Sequence, residues 1–291
     1  MEEPRFAEGL GGIEADFDGF LVDQWGVLHD GVTAYPGARE CLARLAALGK
    51  RVVVLSNSGR RAAPNAALLT KIGFSAADYT AMVSSGEVVW QAFRDRTDPY
   101  FAELGRRCLL FSRHDDRSVV EGLDLELVAT AGEAAFILVS GSEAPEKTLA
   151  DYEPFLEDGA RRGLPLVCAN ADLVRVSPEG LLLGPGSIAR RYEELGGRVR
   201  WIGKPNPEIY VAALAALGDL PPGRVAAVGD SLEHDIGGGR RAGLATVLVA
   251  GGIHHESFAG VTDPGGCARA LRSLGAAPET WPDWVVPSFR W

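Results

Sequence analysis

Four short apolar runs in this chain end in polar residues whose types suit phosphoryl chemistry around a metal ion. Phe20-Leu21-Val22 ends at Asp23, and Val52 to Leu55 ends at Ser56-Asn57-Ser58-Gly59. Val199 to Ile202 leads through Gly203 to Lys204. Val225 to Val228 leads to Gly229-Asp230-Ser231, with Asp235 five residues beyond Asp230. Three carboxylates gathered in one crevice repel one another unless a cation neutralises them. Oxygen ligands of this kind select a hard divalent ion, and Mg²⁺ suits a phosphate site. A lysine and a Ser-Asn pair would add cationic and neutral hydrogen bonds to a phosphoryl group.

The elements that must position these residues are legible around them. Pro36-Gly37 opens a segment with Ala38, Cys41, Leu42, Leu45 and Leu48 on one face, stopped by Gly49. Those spacings predict an amphipathic helix between two strands, a βαβ unit with parallel neighbours. The C-terminal part repeats the pattern: a strand Val199 to Ile202, a helix opened by Asn206-Pro207, a strand Val225 to Val228, a short helix from Asp235 to Ala242, and a strand Ala245 to Val249. Ligands of open parallel sheets sit beyond the carboxyl ends of the strands, so a shared sheet would bring the polar ends together. From about Ser85 to Pro185 the pattern is similar but lacks such polar ends. Cys108 to Phe111, Phe136 to Val139 and Leu166 to Cys168 read as strands, and Glu146 to Arg162 reads as a helix. The expected architecture is a Rossmann-like parallel-sheet α/β core, residues 1–84 and 186–291, with an inserted α/β cap domain, residues 85–185. Hinges are expected near Ser84-Ser85-Gly86 and Gly184-Pro185-Gly186.

In order and spacing, Asp23-Gln24-Trp25-Gly26-Val27-Leu28, Ser56-Asn57, Gly203-Lys204-Pro205 and Gly229-Asp230-Ser231 with Asp235 resemble the four motifs of the haloacid dehalogenase superfamily. The insert resembles the cap of its subfamily IIA, the NagD-like and p-nitrophenyl-phosphatase-like hydrolases. Asn170-Ala171-Asp172 and Gly184-Pro185-Gly186-Ser187 are similar to the passage that closes that cap. The resemblance runs from about Asp18 to Gly252 and implies a Mg²⁺-dependent phosphatase. It implies Asp23 as nucleophile, forming an aspartyl-phosphate, and Lys204 as the cation beside it. Ser56 and Asn57 would bind the phosphoryl oxygens, with Asn170 and Asp172 contributing from the cap. Asp23, Asp230, Asp235 and the main-chain carbonyl of Trp25 would hold Mg²⁺. The insert would close over substrate as a lid.

Two features qualify the first motif. Asp16-Phe17-Asp18-Gly19 also spells the family's usual Asp-x-Asp-Gly, but Gly-Gly-Ile-Glu-Ala before it is a poor buried strand. Asp16 and Asp18 are therefore expected in a solvated turn. Phosphatases of the superfamily carry a general acid–base aspartate two residues after the nucleophile, and here that residue is Trp25. Such catalysis contributes roughly 10²–10⁴-fold. His29, Asp30 and Asp172 are candidate substitutes, and Arg175 is a candidate specificity contact. Two other readings stay open: a hydrolase cleaving C–P or C–halogen bonds, and a phosphometabolite-binding protein with impaired turnover.

Composition narrows the partners. Lys and Arg total 29 against 39 Asp and Glu, a formal charge of −10. With no basic stripe, nucleic acid and anionic membranes are disfavoured as partners, while a small phosphorylated metabolite is not. Cys41, Cys108, Cys168 and Cys267 form no CxxC pair and read as buried free thiols, which suits a cytoplasmic protein. The start of the chain has no apolar run resembling a signal peptide. The tail from Trp281 to Trp291 holds three tryptophans, expected to dock on its own core or on a partner subunit. That tail and the cap are the surfaces a homodimer would use. Arg60-Arg61 is expected as surface charge, and His254-His255 as part of a loop.

Overall fold

The computed structural model describes residues 3–177 and 180–291, which form two compact units. One comprises Met1–Ser56, Ala66–Val83 and Tyr210–Trp291; the other comprises Asn57–Asn65 and Ser84–Ile209. In chain order the strands are β1 (Arg5–Phe6), β2 (Gly19–Asp23), β3 (Arg51–Ser56), β4 (Ala81–Ser84), β5 (Arg107–Phe111), β6 (Glu126–Leu127) and β7 (Phe136–Val139). They continue as β8 (Pro165–Cys168), β9 (Val174–Ser177), β10 (Gly180–Leu183), β11 (Arg198–Trp201), β12 (Val225–Gly229), β13 (Ala245–Val249) and β14 (Trp284–Val286).

The first unit is built on a seven-stranded sheet in the order β1-β14-β13-β12-β2-β3-β4. The pairings from β1 through to β3 are parallel, which the continuous apolar runs required: both faces of β2 and β3 are buried. Phe20, Val22, Val52 and Val54 join Cys41, Leu42 and Leu45 of the helix Ala38–Ala47 in one core. Alternation sends Leu248 and Val285 into a second core with Cys267 and Leu271. Each such aliphatic side chain contributes roughly 1.5–3 kcal/mol by burial. Gly37 starts that helix in the left-handed region at φ +83°, and Gly49 follows its end at φ +72°, as the sequence punctuation predicted. The aromatic tail docks within its own unit: β14 lies between β1 and β13, and Trp281 and Phe289 are buried.

The second unit has its own parallel sheet, in the order β11-β8-β7-β5-β6, and an antiparallel pair β9-β10. One face packs Leu109, Ile137 and Leu166 against Tyr152, Leu156, Ile188 and Tyr192 of the helices Leu149–Arg161 and Pro185–Glu194. The other face packs Phe136, Leu138 and Val167 against Val89 and Phe93 of the helix Ser85–Asp95.

This arrangement corrects the expected boundary at residues 185/186. β11 pairs in register with β8, Arg198 opposite Pro165 and Trp201 opposite Cys168. The preceding helix buries Ile188, Ala189 and Tyr192 against the same sheet, so residues to Ile209 belong to the second unit. Asn57–Asn65 joins them. The strand before Lys204 is thus in the second sheet, not in the sheet that ends in Asp23 and Asp230. Among the described residues, no helix is long and apolar enough to cross a membrane.

Candidate active site

The carboxyl edge of the first sheet carries the acidic group. β2 ends at Asp23, and its parallel neighbour β12 delivers Asp230 immediately after Gly229. Asp235 lies in a π-helical turn, Leu232–Gly237, a geometry found preferentially at functional sites. Ser231 caps that turn by accepting the His234 N–H at 3.1 Å, and the Tyr210 hydroxyl donates to the His234 carbonyl at 2.8 Å. Asp23, Asp230 and Asp235 each offer a carboxylate oxygen, and the three lie within 4.8 Å of one another. They are 8 %, 4 % and 4 % exposed. At that separation each pair of charges repels by about 3 kcal/mol at an effective dielectric of 20. A hard cation removes this repulsion, so the donor set fits Mg²⁺.

Main-chain groups and glycines hold the carboxylates in place. Asp230 Oδ2 accepts the Ile253 N–H at 2.9 Å, and Asp235 Oδ2 accepts the Ser231 N–H at 3.1 Å. A Cβ on Gly26 or on Gly252 would stand 2.1 Å from Asp230 Oδ2, and one on Gly229 would stand 2.0 Å from Asp235 Cγ. Sequence reasoning missed Gly252 and Ile253. Their signal was Gly251-Gly252 directly beyond Ala250 at the end of an apolar strand.

Ser56 ends β3 and is 1 % exposed. The loop after Asp23 fixes Trp25, which is half-buried. Its indole meets the His29 ring edge-on at 5.0 Å, and Gly31 leaves room for it: a Cβ there would lie 2.3 Å from Trp25 Cη2. His29 is fully buried, and its Nδ1 accepts the Gly31 N–H at 2.8 Å, which places the proton of the neutral ring on Nε2. Burial pushes the imidazole down to about 4. Hydrogen bonds from the Thr33 and Val32 main chain hold the Asp30 carboxyl below its ordinary range. At neutral pH His29 is therefore not an imidazolium and Asp30 is ionised, so neither serves as a general acid.

The competing carboxylates Asp16 and Asp18 lie outside β2. Asp18 precedes β2 and forms a two-pronged ion pair with Arg224 at 2.9 Å, while Asp16 lies exposed in a 3₁₀ turn. Five residues of strand set Asp18 roughly 17 Å from Asp23, at the opposite edge of the sheet.

The second unit gathers the remaining predicted residues at the carboxyl edge of its own sheet. Asn57 is their hub. Its Oδ1 accepts the Lys204 main-chain N–H at 2.6 Å, and its Nδ2 donates to the Lys204 carbonyl at 3.1 Å and to Asp172 Oδ1 at 2.8 Å. The Ser85 hydroxyl also reaches Asn57 Oδ1 at 3.4 Å. Gly203, at φ +113°, permits this approach, since a Cβ there would lie 2.3 Å from Ser85 Oγ. Lys204 is 3 % exposed. Asn170 Oδ1 accepts the Asp172 N–H at 3.0 Å, shaping the loop after β8. Arg61 is committed elsewhere, chelating Glu87 and stacking on Trp90 at 3.6 Å.

Comparison with known proteins places the chain in a family. The profile of the haloacid dehalogenase-like hydrolases matches residues 20–126, and a second, HAD-hydrolase-like profile matches residues 201–290. Human chronophin is 31 % identical over 254 residues, covering 81 % of each chain. The chain belongs to the haloacid dehalogenase-like hydrolase family. A haloacid dehalogenase-like hydrolase from Brucella suis 1330 superposes with a TM-score of 0.82 at 28 % identity, over 97 % of this chain and 99 % of that one. A glycerol phosphate phosphatase from Mycobacterium tuberculosis, in complex with magnesium, gives a TM-score of 0.65 at 26 % identity, over 83 % and 70 % of the two chains. The parallel-sheet α/β fold expected of a family member is the fold observed.

Proposed function

We propose that this hydrolase is a Mg²⁺-dependent phosphatase of small phosphorylated metabolites, with Asp23 as nucleophile. The observation that carries the reading is the meeting of Asp23, Asp230 and Asp235 within 4.8 Å at one sheet edge. The magnesium complex of the glycerol phosphate phosphatase relative supports the metal and the substrate class. Bound Mg²⁺ would neutralise the carboxylates and stabilise charge on the phosphoryl oxygens. Asp23, Asp230, Asp235 and the Trp25 carbonyl would hold it.

An Asp23 oxygen attacks phosphorus, the ester P–O bond breaks, and the leaving oxygen departs with the electron pair. Water then attacks the aspartyl-phosphate, releasing inorganic phosphate and restoring Asp23. Ser56 hydrogen-bonds the phosphoryl group in this reading. Lys204, Asn57, Asn170 and Asp172 take the substrate-binding roles that the family resemblance implies. With Trp25 in the acid position, leaving groups that depart without a proton are favoured. The four free, buried cysteines suit a reducing compartment, and a cytoplasmic setting belongs to the same proposal.

Trp25 also favours a second reading, a protein that binds phosphometabolites and metal but turns over slowly. Phosphate release from p-nitrophenyl phosphate, with and without Mg²⁺, tests both against Asp23→Asn. Mg²⁺-dependent release by the wild type alone is expected. Equal activity in the two proteins removes Asp23 as nucleophile, and ligand binding without release selects the second reading.

A further inference from the structure

Two arginines of the second unit stand without a partner that their chemistry calls for. Arg113 lies just beyond β5, at the carboxyl edge of the second sheet, and Arg175 lies three residues after Asp172. Both side chains are half-buried. The Nε of each is shut off from water with no hydrogen-bond acceptor, and neither guanidinium joins an ion pair among the described residues. Arg175 spends one Nη2 hydrogen on the Ala144 carbonyl at 3.0 Å. Leaving a buried donor unmet costs about 1–3 kcal/mol, so the arrangement of this pair costs stability.

Their electrostatics point the same way. Burial lowers the pKa of both guanidinium groups, and next in size are the charge of Arg60 acting on Arg113 and that of Arg113 acting on Arg175. Glu146, which is exposed, opposes this at both, while Arg60 is itself paired with Asp116 at 2.8 Å. In a chain with ten more acids than bases, two mutually repelling cations lack a neutralising contact.

The backbone there is also held in an unfavourable form. His114 and Asp115, next after Arg113, are consecutive non-glycine residues in the left-handed region, at φ 52° and 55°. Such conformations persist where the surroundings impose them, and they concentrate at ligand sites. Gly141, after β7, lets the loops close on Arg113, since a Cβ there would lie 2.7 Å from the Arg113 nitrogen.

We propose that Arg113 and Arg175 form an anion subsite that binds a second acidic group, a carboxylate or phosphate, of a small phosphorylated substrate. The proposal rests on the phosphatase reading and specifies its substrate class. Within the second sheet, β5 and β11 are three strand spacings apart, so the strand ends that precede Arg113 and Lys204 lie roughly 14 Å apart. That span accommodates two long side chains and a metabolite of a few carbons. Guanidinium forks bind carboxylate and phosphate in two-pronged pairs, which would meet both unpaired edges.

Matched substrates test the subsite. 3-Phosphoglycerate and glycerol 3-phosphate differ by a carboxylate against a hydroxymethyl group, and fructose 1,6-bisphosphate and fructose 6-phosphate differ by a second phosphate. The wild type should favour the doubly acidic member of at least one pair by about tenfold or more in kcat/KM. Arg113→Gln and Arg175→Gln should bring that ratio towards one, mainly through KM. The pair that responds identifies the acidic group. No preference in the wild type, or a preference that both folded variants keep, overturns the proposal. Malonate provides a readout free of turnover: it should raise the melting temperature of the wild type saturably and not that of the double variant. No rise in the wild type also overturns it. If no substrate releases phosphate while malonate still stabilises through these arginines, the phosphatase reading fails and the anion subsite stands.

Discussion

Gly26 lies so close to Asp230 that a Cβ on it would stand 2.1 Å from the Asp230 Oδ2. Gly26 also has φ +81°, where any side chain is strained. Gly252 presses on the same carboxylate with the same 2.1 Å approach. Substituting alanine at either position must displace Asp230 or the loop. Gly26→Ala and Gly252→Ala should each lose about 1–3 kcal/mol of stability, a range common for strained or overpacked sites. Each should also weaken Mg²⁺ binding tenfold or more. Calorimetric titration with Mg²⁺ checks this, and native affinity in either variant would show that the cradle does not set the carboxylate position.

Asn57 is a second structural anchor, because one amide satisfies both main-chain groups of Lys204 and the Asp172 carboxylate. Asn57→Ala removes all three hydrogen bonds and leaves main-chain groups of a 3 %-exposed residue without that partner. The expected loss is about 2–4 kcal/mol, since buried polar groups stripped of partners pay desolvation in full. Denaturant unfolding measures it. Asn57→Asp should restore the acceptor for the Lys204 N–H but set a carboxylate against Asp172, so it should rescue stability only in part.

The sequence foretold the ends of strands better than their company. Phe20-Leu21-Val22 could be read as a buried strand because β-branched and aromatic runs have few alternatives, and Asp23 followed from it. Asp18 could be set aside for the same reason. The placement of Val199 to Ile202 failed, because pairing is a long-range property: nothing local distinguishes a strand bound for β8 from one bound for β12. Hence the sequence alone points Lys204 to the first sheet and sets the boundary at 185/186 too early. The crowding of Gly26, Gly229 and Gly252 on two carboxylates was also hidden, since a glycine's need for space depends on what approaches it in three dimensions. The insulation of His29 is invisible too; the sequence shows a ring beside Asp30, not one buried against Trp25.

That burial gives a pH response with a defined sign. Burial depresses the His29 pKa to about 4, against 6.5 in the unfolded chain. Above pH 6.5 the ring is neutral in both states and the stability is unaffected. As pH falls, the unfolded chain takes up the proton first, so stability is lost from 6.5 downwards and the loss levels off below about 4. Between pH 7 and 5 the wild type should lose about 2 kcal/mol through this residue. His29→Asn keeps an acceptor for the Gly31 N–H but cannot titrate. Urea unfolding of both proteins at the two pH values should show the wild type losing more by that amount, and parallel losses would contradict the assignment.

Trp25 carries the sharpest functional prediction. Its indole is fixed between the His29 ring and Gly31 and offers no proton to a leaving group. Neither His29 nor Asp30 supplies one at neutral pH, for reasons of burial and main-chain hydrogen bonding respectively. Turnover should therefore depend steeply on leaving-group acidity, with p-nitrophenyl phosphate far ahead of glycerol 3-phosphate. Trp25→Asp returns a carboxyl group two residues after the nucleophile. It should raise kcat on glycerol 3-phosphate by about 10²-fold, the low end of general acid–base contributions, and change p-nitrophenyl phosphate hydrolysis much less. Loss of the half-buried indole should cost about 2 kcal/mol of stability, part of a full aromatic truncation, so rates belong at a temperature where both proteins are folded. If glycerol 3-phosphate turnover stays where it was, a group outside the Asp23–Asp30 loop already donates the proton. Asp172, held by Asn57, would then be the next residue to replace.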